Sequence, residues 1–271
     1  MVRVLAATLL VCMIVSPVFP ETPDAITIVK QMKEVFEPER PSLRSLVVIN
    51  MDPRGGSTEW QVVQARKKLP AGKQILMVIQ EPAAMRGFAQ LMWETQDQRN
   101  PIFIYLPFTR RVREIVGLRA YDSYNATVFT YADLGFIPVH EGYKFLGEEQ
   151  HGGMRAYKIE ETVPKEHGYY SRIIAWVAAD TLFPLERNYY DVAGRLWKTE
   201  LFKDVASVDG IPTPLDVLMT DVQDGYKTEI KVRQINYDVA IPDEIFDPNQ
   251  LSKAADVPVW RTLLPPATNP K

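Results

Sequence analysis

From Leu43 onward the sequence consists of roughly a dozen short β-rich segments separated by turn residues, with only one helical stretch before them. The turns contain steps such as Arg54-Gly55-Gly56, Asp209-Gly210 and Asp224-Gly225, whose residues tolerate positive φ. Parallel strands need long crossover connections, usually helices, and this chain has too little helix to provide them. The order of the segments therefore predicts an antiparallel meander.

A single amphipathic helix is predicted before the strands. Thr22-Pro23-Asp24 is typical of a helix start, and Pro38 and Pro41 mark the end of the helical pattern. The apolar residues between them follow at helical spacing: Ala25, Ile26, Ile28, Val29, Met32, Val35 and Phe36.

A twisted antiparallel sheet of about a dozen strands must curl, because open sheets of that size close up or split. In the segment PIFIYLP, residues 101–107, apolar residues occupy both alternating sets of positions, so this strand is expected to be covered on both faces. One cover is predicted to be the N-terminal helix together with residues 131–134. The other is the opposite wall or a bound apolar ligand, and the alternation does not decide which set of side chains faces the inside.

The first twenty residues are predicted to be a secretory signal peptide. Arg3 precedes an apolar run, and Ser16-Pro17 breaks it. The run spans about twelve residues, whereas roughly twenty are needed to cross a bilayer. Cys12 is the only cysteine, and the apolar residues around it do not fit a lipidation site. The mature protein is therefore expected to be exported without a lipid anchor or a disulfide.

Composition supports one sizeable domain, predicted to span residues 21–255, because the chain is 46% hydrophobic. The Pro-rich, aperiodic tail at residues 256–271 is expected to cross the surface or to be disordered. The chain has 34 acidic and 31 basic residues, so no basic surplus indicates nucleic acid as a partner.

Four stretches of the chain resemble one family, in residues and in order. The first is residues 101–134, where "YLP..RRVR.I" is followed by a polar loop and "F.Y.DL". The others are EPAAMRGFAQLMWE at residues 81–94, YSRIIAWVAADTLFPLERNYYDVAGRLWK at 170–198 and NYDVAIPDEIFDP at 236–248. This order resembles the outer-membrane lipoprotein-sorting proteins, LolA-like periplasmic carriers whose half-open β-barrel shelters acyl chains.

The resemblance implies a mainly β (α+β) fold, a curled antiparallel sheet forming a half-open β-barrel covered by an N-terminal helix and a loop or helix segment. It also implies a periplasmic carrier that binds the acyl moiety of lipids or lipoproteins. Such a carrier would pass its cargo toward the outer membrane or a partner transporter, with an inner-membrane transporter or an outer-membrane acceptor as partner. The alternative is a periplasmic lipid or lipoprotein sensor, or an adaptor, that acts through a membrane protein.

The sequence contains few candidates for catalytic chemistry. No G-x-S-x-G nucleophile elbow is present, and His140, His151 and His167 lie in turn-like contexts without metal-ligand spacing. The acidic pairs Glu148-Glu149 and Glu160-Glu161 point to opposite faces of a strand. We therefore expect no enzyme activity, catalytic residue, cofactor or metal.

Two groups of residues are candidates for binding. Arg111 and Arg113 share one face of a predicted strand, where they could contact a head group or an acidic partner; the alternatives are a strand edge protected by charge and pairing with surface acids such as Glu114 and Asp122. Aromatic residues of the strands and the long loop are candidates for the wall of an apolar cavity, although they could equally form ordinary core. They are Phe88, Trp93, Phe103, Tyr105, Phe129, Tyr131, Trp176 and Tyr189.

Overall fold

The computed structural model describes residues 24–95, 100–140, 142–163 and 169–263. The predicted signal peptide, including Cys12, and residues 264–271 of the predicted tail lie outside the described residues.

The N-terminal helix, α1 (Ala25–Phe36), forms where the periodicity predicts it. Asp24 caps the helix, because its carboxylate accepts a hydrogen bond from the Thr27 N–H at 3.3 Å. The apolar stripe of α1, centred on Ile28, Val29 and Met32, is buried.

In the described part of the chain, thirteen strands follow in a single antiparallel sheet. The predicted β segments all form strands, since alternation and turn chemistry are local properties of the sequence. The strands are β1 (Ser42–Met51), β2 (Ser57–Leu69), β3 (Gly72–Glu81), β4 (Ala89–Trp93), β5 (Ile102–Leu106), β6 (Arg111–Ile115), β7 (Tyr143–His151), β8 (Met154–Thr162), β9 (Tyr170–Ala178), β10 (Pro184–Asp191), β11 (Leu196–Val208), β12 (Ile211–Asp221) and β13 (Lys227–Asn236).

The order of the strands departs from a simple meander at one point. It runs β6-β5-β4-β3-β2-β1-β13-β12-β11-β10-β9-β8-β7, so β6 and β7, consecutive in sequence, lie at opposite edges. Residues 116–142, the crossing loop, connect these two edges and include a 3-10 helix at Gly117–Tyr121. The sheet is curled and open, with a loop and a helix across it, which confirms the expected fold class.

The two faces of the sheet are covered by different parts of the chain. On the outer face of β1 to β5, Leu43, Leu76 and Leu91 pack against three C-terminal 3-10 helices at Asp243–Phe246, Pro248–Asp256 and Pro258–Leu263. The inner face carries Leu46, Met77 and Ile104. Helix α1 covers the inner face of the other half of the sheet, against Ile159 and Val177.

In the described part of the tail, residues 256–263, apolar side chains pack onto the outer face of the sheet. Trp260 is only 4% exposed, and its indole Nε1 donates a hydrogen bond to the Ala254 carbonyl at 2.7 Å. Leu263 is buried in the same cluster. The Pro-rich composition excludes an α-helix or a strand, but short 3-10 turns still bring these two apolar side chains onto the sheet.

Candidate functional site

A cavity of about 190 Å³ lies between the inner face of the sheet and the crossing loop. Its apolar wall consists of strand residues from both halves of the sheet, together with Phe36 from the last turn of α1. The strand residues include Leu46, Met77, Val217, Ile230 and Val232. A long apolar side chain or ligand can therefore contact aliphatic groups on several strands at once.

Residues 132–138 of the crossing loop, the crossing segment, form the opposite wall of the cavity. One end of the segment is attached to α1, because the Ile137 N–H donates to Glu37 Oε1 at 2.7 Å and Lys33 Nζ donates to the Ile137 carbonyl at 2.8 Å. Lys33 and Glu37 also form an ion pair of 2.6 Å. Tyr143 donates its hydroxyl proton to the Pro138 carbonyl at 2.7 Å.

The other end of the crossing segment is attached to the sheet through Asp133. The Tyr170 hydroxyl donates to this carboxylate at 3.0 Å, and Lys198 Nζ lies 3.5 Å from it. Lys198 Nζ also donates to the Val128 carbonyl at 2.7 Å. The segment is thus held at both ends by polar contacts, whereas its middle meets the cavity through Leu134 and Phe136.

Two arginines on the inner face, Arg44 of β1 and Arg66 of β2, also line the cavity. They are diagonal neighbours, since Arg44 pairs with Gln64 and Ser42 pairs with Arg66 in the register of the two strands. Arg44 is 7% exposed, and its Nη2 donates to the Tyr237 hydroxyl at 3.2 Å, while its Nε has no partner among the described residues. Arg66 donates from Nε to Gln64 Oε1 at 3.0 Å.

Burial makes the charged form of both guanidinium groups costly. It lowers the pKa of Arg44, and it lowers the pKa of Arg66 to about 9, with the nearby charge of Arg44 acting in the same direction. A different arrangement surrounds Arg187, whose Nε lies 2.9 Å from the Glu200 carboxylate. Burial opposes the charge of Arg187 as well and is the largest single effect, but Glu200 together with Tyr189, Asp133 and Glu161 holds the pKa of Arg187 above its usual value.

The structure brings two of the eight aromatic candidates, Phe129 and Tyr189, into the cavity wall. Phe88 and Tyr131 lie on the inner face in a neighbouring packed cluster and do not line the cavity. The assignment of the other four candidates to the cavity is corrected. Trp93, Phe103 and Tyr105 pack on the outer face under the C-terminal 3-10 helices, and Trp176 lies in a cluster with Ile174 and Leu185.

The alternation along β5 explains the correction. Ile102 and Ile104 face inward, so Phe103 and Tyr105 must face outward. Trp176 alternates in the same way with Val177, which packs against α1. The Trp176 indole instead donates to Glu149 Oε1 at 2.6 Å and stacks on His151, with ring centroids 4.6 Å apart.

Arg111 and Arg113 lie on β6, at one edge of the sheet, and both are exposed. They are paired with Leu106 and Ile104 of β5, so they share the inward-facing side of that edge strand, but they do not line the cavity. Phe108, in the turn that precedes β6, is 82% exposed. The edge therefore presents guanidinium groups beside a solvent-exposed aromatic ring.

Sequence reasoning missed Arg44 and Arg66. For Arg44 the available signal was a charged residue in the mostly apolar segment LRSLVVIN, because a charge is costly to place in a buried strand. The two histidines in the described residues each contact a carboxylate. His140 lies 3.0 Å from the Glu161 carboxylate and His151 2.9 Å from that of Glu186, whereas His167 is outside the described residues.

Within the described ranges, no group of three or more histidine, cysteine or acidic side chains is placed to hold a metal ion. In the same part of the chain, no helix has the length and apolar character that a membrane crossing requires.

A family model with the description "Uncharacterized protein" matches residues 71–253, more than half of the chain. The chain belongs to this family. No protein of curated function matches the sequence. Among solved structures, a putative outer membrane lipoprotein-sorting protein domain from Vibrio parahaemolyticus is 21% identical with a TM-score of 0.78, over 84% of this chain and 98% of that one.

Two further structures share the architecture. A DUF1329 family protein from Desulfovibrio piger is 26% identical with a TM-score of 0.78, over 84% of this chain and 97% of that one. A LolA superfamily protein from Nitrosomonas europaea is 20% identical with a TM-score of 0.67, over 83% and 98%. The predicted resemblance to lipoprotein-sorting proteins is confirmed in the fold of the chain.

Proposed function

We propose that this LolA-like protein is a periplasmic carrier that binds the acyl part of lipids or lipoproteins inside the open sheet. The observation that carries the proposal is the cavity between the inner face and the crossing segment, part of whose wall is apolar. Each methylene group removed from water contributes about 0.8 kcal/mol, so one long chain supplies on the order of 10 kcal/mol before ordering costs. Such a task requires no covalent catalysis.

The size of the cavity indicates how cargo enters. Pockets that enclose drug-sized ligands have volumes of roughly 300 to 1,000 Å³, whereas this cavity measures about 190 Å³. A full acyl chain therefore requires the crossing segment to move away from the sheet. The segment is suited to such movement because polar contacts hold its ends and only a few apolar side chains hold its middle.

Movement of the crossing segment would also allow release. A carrier populates a closed and an open state, and an acceptor that binds the cargo more tightly draws it from the open one. The direction of transfer would then follow from differences in affinity between the carrier and its partners, an inner-membrane transporter on one side and an outer-membrane acceptor on the other.

The β6 edge is the proposed contact for such a partner. Arg111, Arg113 and Phe108 combine positive charge with an exposed aromatic ring, a composition typical of the residues that dominate binding energy at interfaces. A docking contact at this edge is equally required by the sensor or adaptor alternative. The two functions differ in whether cargo is transferred.

The test begins with the mature protein purified natively from periplasm. Mass spectrometry of the extracted lipid identifies any cargo, and transfer of a labelled lipid from the protein to acceptor vesicles tests the carrier. Co-purified lipid that reaches the vesicles supports the proposal. A stable complex with a membrane protein, without any transfer, would support the adaptor instead.

A variant of the cavity wall makes the test specific. Val217→Phe places a larger side chain against the cavity, and we expect it to weaken binding of a fluorescent acyl probe by about tenfold, since tenfold corresponds to about 1.4 kcal/mol. Val205→Phe is the matched control, because Val205 is exposed on the neighbouring strand β11. Equal affinity of both variants and the wild type would place the acyl site elsewhere.

A further inference from the structure

Among the described residues, the buried Arg44 and the half-buried Arg66 differ from Arg187 and Lys198 in having no acidic partner. Arg187 is paired with Glu200, and Lys198 with Asp133. The polar neighbours of Arg44 and Arg66 are instead the neutral groups of Tyr237 and Gln64. Glu37 is the acid whose charge acts on Arg66, but its carboxylate already binds Lys33 and the Ile137 N–H.

An unpaired guanidinium group in a protein interior is unfavourable, because it loses hydration without gaining a counter-charge. The positive charges of Arg44 and Arg66 also repel each other. The two residues are diagonal neighbours on adjacent strands, and such residues lie only about 7–8 Å apart. Structural requirements alone would be met by apolar residues, as at Leu46 and Met77 of the same wall. Two cations in a single cavity, neither with an acidic partner among the described residues, therefore indicate a ligand that supplies the missing negative charge.

The surroundings of the arginines identify the kind of ligand. The same cavity presents aliphatic side chains from β12 and β13, among them Val217, Ile230 and Val232. A molecule that satisfies both features has an acidic head at the arginines and an apolar tail along these strands. Guanidinium groups match phosphate and carboxylate oxygens in pairs of parallel hydrogen bonds.

We propose that Arg44 and Arg66 bind the anionic head group of an acidic amphiphile, a phosphate or a carboxylate, whose acyl tail occupies the apolar wall of the cavity. This inference rests on the proposed carrier function and narrows it, because cargo with a neutral head would leave both cations unpaired. The head group would enter the cavity and not remain at its mouth.

The test compares three compounds with the same oleoyl chain on the mature wild-type protein. They are oleic acid, oleoyl lysophosphatidic acid and mono-oleoylglycerol, each titrated against a bound fluorescent acyl probe. We expect the two acidic compounds to displace the probe at concentrations at least about tenfold lower than the neutral one, as expected for a charge-assisted contact. Inorganic phosphate alone is added to the protein as a fourth experiment.

The variant Arg44→Gln with Arg66→Gln should bind all three compounds with similar affinity, and its melting temperature without ligand should equal or exceed that of the wild type. Arg44→Lys with Arg66→Lys keeps the charge and should restore part of the preference. The matched control is Arg155→Gln with Arg195→Gln, which removes two exposed guanidinium groups and should keep the full preference.

The outcomes distinguish a failure of the carrier function from a failure of the head-group site at Arg44 and Arg66. If no oleoyl compound displaces the probe, the carrier function itself fails. Displacement by all three at equal concentrations overturns the head-group site and leaves the carrier, even if the double variant does not fold. A rise in melting temperature with inorganic phosphate, combined with no response to any oleoyl compound, would assign the arginines to a free anion.

Discussion

Glu37, at the end of α1, accepts a hydrogen bond from the backbone N–H of Ile137 at 2.7 Å, across 100 residues of sequence. Through this contact the helix holds the crossing segment against the sheet. Both groups are buried, and the carboxylate is paired with Lys33 at its second oxygen. Glu37, the residue that follows α1, is therefore one of the contacts that keep the cavity closed at this end of the crossing segment.

Loss of this contact should favour the open form. Glu37→Ala removes the acceptor of the Ile137 N–H, and a lost charge-assisted hydrogen bond costs roughly 1.5–3 kcal/mol. We expect a lower melting temperature and faster entry of a fluorescent acyl probe, measured by stopped flow. Glu37→Gln keeps a hydrogen-bond acceptor, so its melting temperature and its rate of probe entry should lie between those of the wild type and Glu37→Ala. Slower or unchanged entry in Glu37→Ala would show that the crossing segment does not control access.

The β6 edge is expected to act in partner binding and not in folding. Arg111→Gln with Arg113→Gln removes two exposed charges, which contribute little to stability. The double variant should melt within a degree or two of the wild type, as expected for a change well below 1 kcal/mol, and should transfer cargo to acceptor membranes about tenfold more slowly. A large loss of stability with intact transfer would make these arginines part of the structural framework.

Tryptophan emission should report on the cavity through Trp197. Its ring lies against Tyr170, with centroids 5.7 Å apart, and Tyr170 lines the cavity. Trp176 packs in a separate cluster that includes Ile174, away from the cavity wall. Trp197→Phe should therefore abolish most of the change in emission on adding oleic acid, while Trp176→Phe preserves it. The reverse pattern would place the ligand on the outer face.

The C-terminal 3-10 helices should stabilise the fold without taking part in binding. Trp260→Ala removes a buried indole and leaves a cavity on the outer face, a change that costs about 3–5 kcal/mol. Chemical denaturation should reveal this loss, while the affinity for an acyl probe below the transition stays unchanged. An equal loss of affinity and stability would mean that the outer cluster and the inner cavity are coupled.

The elements themselves were predictable from the sequence, because they depend on local properties. Alternation and β-branched residues predicted the strands, and positive φ occurs at the predicted turn glycines Gly55, Gly210 and Gly225. Helix α1 was predictable for the same reason, because the spacing of its apolar residues and its N-cap are properties of the local sequence. The need for a dozen strands to curl also follows from geometry alone.

Tertiary structure alone decided the faces and the closure. Both sets of alternating positions in β5 are apolar, so no local pattern distinguishes Ile104, which faces inward, from Phe103, which faces outward. The order of strands separates β6 from β7 by the full width of the sheet and sends the crossing loop over the cavity. Arg44 and Arg66 meet only because β1 pairs with β2 in one register, which depends on packing across the whole sheet and not on the residues beside each arginine.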